Sequence, residues 1–173
     1  MRPRSRGECP LVHLVNPLWD GNGGADRRTI DTWRLLSPHA DARLWSEYPP
    51  APAFAAYPVR RLQPYRLRVP RGGNLVFMGT YFRIGHWTRL ASFDRVIVVY
   101  NTDQVDRLAK NVRRLRNAGH RVDIVYTSRE LRRRHGGDGA VLESPIDVER
   151  FHPAPHRAPG HPFTVGRLSR HIA

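Results

Sequence analysis

The sequence predicts an α/β protein built on a doubly wound, mainly parallel sheet with helices on both faces. Three observations predict it. Short, nearly unbroken apolar runs recur along the chain, chief among them Leu11 to Val15, Leu75 to Met78 and Val96 to Tyr100, and runs of that kind suit strands buried on both faces. Between such runs stand segments of helical periodicity, the clearest over 103–118. Strand and helix alternate, which implies parallel pairing through right-handed crossovers.

Taken in order, Leu11 to Val15 is a first buried strand leading into the loop Asn16 to Gly24. A helix starts near Ala25 and Asp26, carries Ile30, Trp33 and Leu36 on one face, and ends at Ser37-Pro38, because the residue before a proline is pushed out of helical dihedrals. Ala42 to Trp45 is a second strand. Tyr48 to Pro70 holds Pro49, Pro50, Pro52, Pro58, Pro64 and Pro70, too many for helices or central strands, and leaves room for one edge strand near Val59 to Leu62. Leu75 to Met78 is the next strand, and a short helix is expected near His86 to Leu90. Arg95 to Tyr100 is the clearest strand. In the helix Asp103 to Ala118, Val105, Leu108, Val112 and Leu115 share a face while Arg107, Lys110, Arg113, Arg114 and Arg116 face away. Gly119 ends it. Arg121 to Tyr126, a short helix Ser128 to Arg134, and a strand Ala140 to Leu142 complete the series.

A formal net charge of +14 on 173 residues invites a nucleic-acid reading. Lys110 is the only lysine, however, and the arginines come with abundant Ala, Gly and Pro, a mixture that a GC-rich coding sequence produces whatever the function. The arginines are also spread out, without the aromatic interleaving that single-strand binders use. The expectation is an anionic partner and no nucleic acid. One cysteine, Cys9, excludes an internal disulfide and a thiolate metal cluster, and suits a reducing cytoplasm. No apolar run approaches the length of a membrane span.

Ligands of open parallel sheets bind beyond the carboxyl ends of the strands. There this chain places Asp20 to Gly24, Gly79-Thr80-Tyr81, Asn101-Thr102-Asp103, Thr127-Ser128 and Glu143-Ser144-Pro145. Gly21-Asn22-Gly23-Gly24 is the most informative, since glycines between a strand and a helix start let backbone amides approach a phosphate. Gly21 and Gly23 supply half of the dinucleotide fingerprint G-x-G-x-x-G, with Glu47 as a ribose-binding acid. Asp26 stands at its third glycine, where a carboxylate would face the pyrophosphate.

Gly23-Gly24-Ala25-Asp26-Arg27 resembles the G-G-A-E-R loop of family 4 (group 1) glycosyltransferases of the GT-B fold. Ser144-Pro145-Ile146-Asp147-Val148-Glu149-Arg150-Phe151-His152-Pro153 is similar to the N-G-V-D-x-x-x-F-x-P segment that ends the family's first domain. Val165-Gly166-Arg167-Leu168-Ser169 resembles the strand and loop opening its second domain.

The resemblance implies transfer of a sugar from a nucleotide-sugar donor to a glycan or lipid-linked acceptor. Residues 1–152 would form the Rossmann-like, acceptor-side domain, 153–162 a linker and 163–173 the start of a truncated donor-binding domain. It implies that Gly23 and Gly24 close over the donor phosphates and that Arg167 pairs with them through its planar guanidinium. The family's partner lysine and its downstream acidic motif are absent from the sequence, which ends at Ala173, so the chain alone is expected to show little or no transfer activity. No catalytic residue is assigned. No D-x-D occurs, and neither a metal nor a cofactor is expected. Placement is expected in the cytoplasm, with peripheral contact at the inner face of an anionic membrane. Two alternatives stay open: a dinucleotide-binding domain of the NAD type, and an anionic-surface module using the outer arginines of 103–118 with Arg129 to Arg134.

Overall fold

The computed structural model describes residues 9–18, 23–63, 68–79, 87, 92–102 and 104–143. They form β1 (Leu11–Val15), α1 (Gly24–Leu36), β2 (Asp41–Ser46), β3 (Arg60–Arg61), β4 (Asn74–Phe77), β5 (Arg95–Tyr100), α2 (Val105–Asn117), β6 (Val122–Tyr126), α3 (Arg129–His135) and β7 (Ala140–Val141). All seven strands join one sheet in the order β3-β2-β1-β4-β5-β6-β7, and every pairing is parallel. The chain is therefore Rossmann-like: it starts at the centre, winds outward to one edge, returns beside β1 and winds outward to the other.

The two windings place helices on opposite faces, and the core divides accordingly. Because side chains alternate along a strand, Leu75, Phe77, Val96, Val98 and Tyr100 meet Leu108, Val112 and Leu115 of α2 and Leu131 of α3. On the other face Val12, Leu14, Leu44, Val76 and Val99 meet Ile30, Trp33 and Leu36 of α1. Strands buried on both faces explain why apolar runs marked them so clearly.

Helix ends follow local chemistry. Ser37 ends α1, donating its backbone N–H to the Trp33 carbonyl at 2.9 Å. At the end of α2, Gly119 takes φ +85°. Its N–H reaches the Arg116 carbonyl at 2.9 Å and that of His120 reaches Leu115 at 3.1 Å, the paired closure of a Schellman turn. The Ser128 hydroxyl caps α3 by accepting from the Leu131 N–H at 3.1 Å. The proline-rich stretch departs from expectation in one place. Pro52–Phe54 forms a 3-10 turn, since proline is tolerated in a first helical turn, where its missing N–H costs nothing. A second departure is Val105, which is 40% exposed, while Asn111 joins Leu108, Val112 and Leu115 on the buried face of α2.

His13 shows how a polar residue is accommodated inside this sheet. It is 1% exposed. Its Nδ1 accepts from the Trp45 indole N–H at 3.0 Å, and Nε2 lies 3.3 Å from the Arg71 carbonyl. Indole can only donate, so Nδ1 must be unprotonated and Nε2 must carry the hydrogen. Burial, opposed by the Arg71 carbonyl and reinforced by Arg43, holds the imidazole below its ordinary value near 6.5. Above that value the ring is neutral in both the folded and the unfolded chain. As pH falls below it, the unfolded chain binds a proton that the folded chain refuses, so stability declines by up to about 1.36 kcal/mol per pH unit. Urea unfolding between pH 7.5 and 5.5 should show this loss, and His13→Gln should flatten it. An equal slope in the variant would assign the acid sensitivity elsewhere.

Candidate functional site

β1 is the strand from which the sheet winds both ways, and open α/β sheets take ligands in the crevice beyond the strand ends at such a position. The residues after β1 are held from several sides. The Asn16 N–H donates to the Trp45 carbonyl at 3.0 Å. The buried Ser46 hydroxyl donates to the Pro17 carbonyl at 2.6 Å and accepts from the Tyr48 N–H at 3.3 Å. Leu18 is fully buried at φ +53°, a left-handed conformation that costs a branched side chain energy. The Ala51 N–H anchors its carbonyl at 2.9 Å. The chain is thus bent and fixed just before the glycine loop.

The next described element is the start of α1. Gly23 is its N-cap, in extended backbone (φ −71°, ψ 136°) with no side-chain cap, and Gly24 is its first residue. Among the described residues, a Cβ built on Gly24 meets nothing within 4 Å. Asp26, in the first turn, is buried and accepts from the Asn16 amide Nδ2 at 2.5 Å. The carboxylate therefore complements the positive end of the helix and ties the end of β1 to α1. Thr29, also buried, donates to the Ala25 carbonyl at 2.7 Å.

The neighbouring strand ends supply further polar groups. Glu47 follows β2 and accepts from the Trp87 indole N–H at 2.6 Å. Gly79, after β4, lies beside Asn101, after β5; a Cβ on Gly79 would stand 3.8 Å from the Asn101 Oδ1. Thr102 accepts from the Gln104 N–H at 3.4 Å. The rim of amides, hydroxyls and backbone donors is suited to holding a polar or anionic ligand. Among the described residues, no three His, Cys, Asp or Glu gather where they could hold a metal, and no helix is long and apolar enough to cross a membrane.

Of the residues singled out by sequence, Gly23 and Gly24 lie at this crevice. Asp20, Gly21, Asn22, Thr80, Tyr81, His86, Asp103, the segment 144–153 and Arg167 lie outside the described residues. The Asn16–Asp26 bond and the Trp87–Glu47 bond were not foreseen. The one available signal was an asparagine closing an otherwise apolar strand. The dinucleotide reading had Asp26 facing a pyrophosphate; its carboxylate turns instead to Asn16.

No family model, no curated protein and no solved structure matches this chain.

Proposed function

We propose that this chain is the acceptor-side domain of a GT-B glycosyltransferase, which moves a sugar from a nucleotide-sugar donor to a glycan or lipid-linked acceptor. In this reading the amides at Gly23 and Gly24 close over the donor diphosphate, and Arg167 supplies a bidentate cation to the same phosphates. The ordered motifs at 23–27, 144–153 and 165–169 support it, together with a sheet that parts at the strand leading into the glycine loop.

The observation that carries it is Gly24. Among the described residues nothing requires glycine there: the residue starts a regular helix, and a side chain would meet no described atom within 4 Å. A ligand that must reach the backbone does need it. Gly24→Ala should therefore leave the melting temperature unchanged or raise it, worth up to about 1 kcal/mol at most. The same change should weaken nucleotide-sugar binding. Amide shifts at residues 23 and 24 during titration with uridine- and guanosine-diphosphate sugars are the readout. Absence of shifts there at millimolar ligand would overturn the proposal.

The dinucleotide reading keeps one point in its favour, because the order β3-β2-β1-β4-β5-β6 is also that of dinucleotide-binding sheets, with Glu47 just after β2. Against it, Asp26 occupies the third-glycine position. NAD in the same titration separates the two, since shifts with NAD alone would favour the dinucleotide.

A further inference from the structure

A second polar site lies at the far edge of the sheet, where α3 passes over β7. An open groove of about 460 Å³ is lined by Arg129, Arg132, Arg133, Gly136, Gly137 and Val141. Tyr126 pairs with Val141, so the groove opens near the carboxyl end of β6. It is four inter-strand steps from β1, roughly 19 Å at about 4.8 Å per step, and is separate from the crevice beside Gly24.

Its charge is not explained by the helix that carries it. Residues 129, 132 and 133 share one face of α3 by their spacing. The helix has four arginines and one carboxylate. Glu130 is taken by Arg133, through one oxygen, and by Arg134, through the other at 2.8 Å. Among the described residues Arg132 bonds the Gly137 carbonyl, 3.4 Å from its Nε, and acts electrostatically on Tyr126. Among the described residues Arg129 has no hydrogen-bonding or ionic partner, and it stands at the first position of α3, where the helix dipole disfavours a cation. Arginines in the last turn serve the dipole; Arg129 opposes it. Among the described residues local chemistry thus leaves one guanidinium, that of Arg129, uncompensated and those of Arg132 and Arg133 compensated in part, around a concave surface.

We propose that this groove binds a ligand carrying two linked phosphate groups. Planar guanidinium forks present paired donors to phosphate oxygens, and the volume lies within the range of small-ligand sites. Carboxylates of ordinary peptides would neutralise one arginine each, whereas a diphosphate spans the i, i+3, i+4 triad. The proposal does not depend on the glycosyltransferase reading, which concerns the residues after the inner strand β1.

The test is calorimetric titration of the full chain with inorganic pyrophosphate at low salt, using two double variants of equal charge. Arg129→Gln with Arg132→Gln should weaken binding by about tenfold or more, as expected for lost charged hydrogen bonds. Arg113→Gln with Arg114→Gln, on the exposed side of α2, should change it less than about twofold. All four side chains are exposed, so both variants should melt with the parent. Equal losses in the two variants would show diffuse attraction and overturn the site, as would no binding at millimolar pyrophosphate. Phosphatidylcholine vesicles carrying a long-chain polyprenyl diphosphate form a second arm. Vesicle binding that pyrophosphate displaces identifies a lipid as the source of the phosphates, and pyrophosphate binding without vesicle binding identifies a soluble one. Vesicle binding that survives the Arg129/Arg132 change overturns the groove as its origin.

Discussion

Gly73→Ala is expected to destabilise the chain by about 2–5 kcal/mol. Gly73 has φ +62°, and a Cβ there would stand 2.4 Å from the Leu11 carbonyl oxygen, 2.8 Å from the Leu11 Cβ and 3.0 Å from its carbonyl carbon. Leu11 opens β1, which is paired on both sides, so the obstacle is backbone inside a sheet and cannot swing away. The turn cannot retreat either. The Gly73 carbonyl accepts from the Asp94 N–H at 2.8 Å, and the Gly72 N–H donates to the Ser92 carbonyl at 3.1 Å. A left-handed alanine costs about 1–2 kcal/mol, and the overlap adds about 1–3 kcal/mol, together a large share of a small domain's stability. Gly72 provides the control: it too has positive φ, yet among the described residues its Cβ would meet nothing within 4 Å. Gly72→Ala should lose only the left-handed cost of about 1–2 kcal/mol. Urea titration of both variants checks this, and equal midpoints would show that the approach to Leu11 is not limiting.

Trp45→Ala should be comparably severe, for a different reason. Trp45 is 6% exposed and makes edge contacts with His13, 5.9 Å between ring centroids, and with Trp87, 6.2 Å. Removing the indole opens a cavity worth about 3–5 kcal/mol. It also strips His13 of the donor that fixes its tautomer. Trp45→Phe divides the two effects. The ring is largely refilled, so the expected loss falls to about 1–3 kcal/mol, from the unsatisfied nitrogen. With no N–H opposing it, Nδ1 can then accept a proton. The decline of stability below pH 6.5 should become shallower than in the parent, although the variant is less stable at neutral pH. A slope as steep as the parent's would mean that the indole does not hold His13 neutral.

The elements legible in the sequence are those whose burial is two-sided. Arg95 to Tyr100 was expected and observed with identical bounds, because five consecutive apolar residues inside a parallel sheet have no competing arrangement. The 103–118 helix was legible in extent, and α2 spans Val105–Asn117. Its inner face was legible only in part. Spacing cannot tell how far the sheet reaches beneath the first turn, so Val105 was placed inside while it lies over the edge of the core, and Asn111 was missed. Crowded prolines concealed the 3-10 turn at Pro52–Phe54, since composition argues against long helices and is silent about a single turn.

The candidate site was legible as a place more than as a set of contacts. A glycine pair between a strand and a helix marks the crevice, because topology decides where strand ends gather. The Asn16–Asp26 bond joins residues ten positions apart. The left-handed Leu18 and the anchors on Pro17 and Leu18 turn the chain soon after Asn16, and no periodicity encodes that turn.

The strands at the two borders of the sheet, β3 and β7, are two residues each. So short a border offers few free amides and carbonyls to a passing extended segment, and at β3 both residues are arginines, whose charge repels a like neighbour. The sheet is thereby poorly disposed to grow by templating strands from other molecules, even though its interior is rich in valine and isoleucine. Association with another body must instead proceed through side chains on the helical layers or through the loops above the strands.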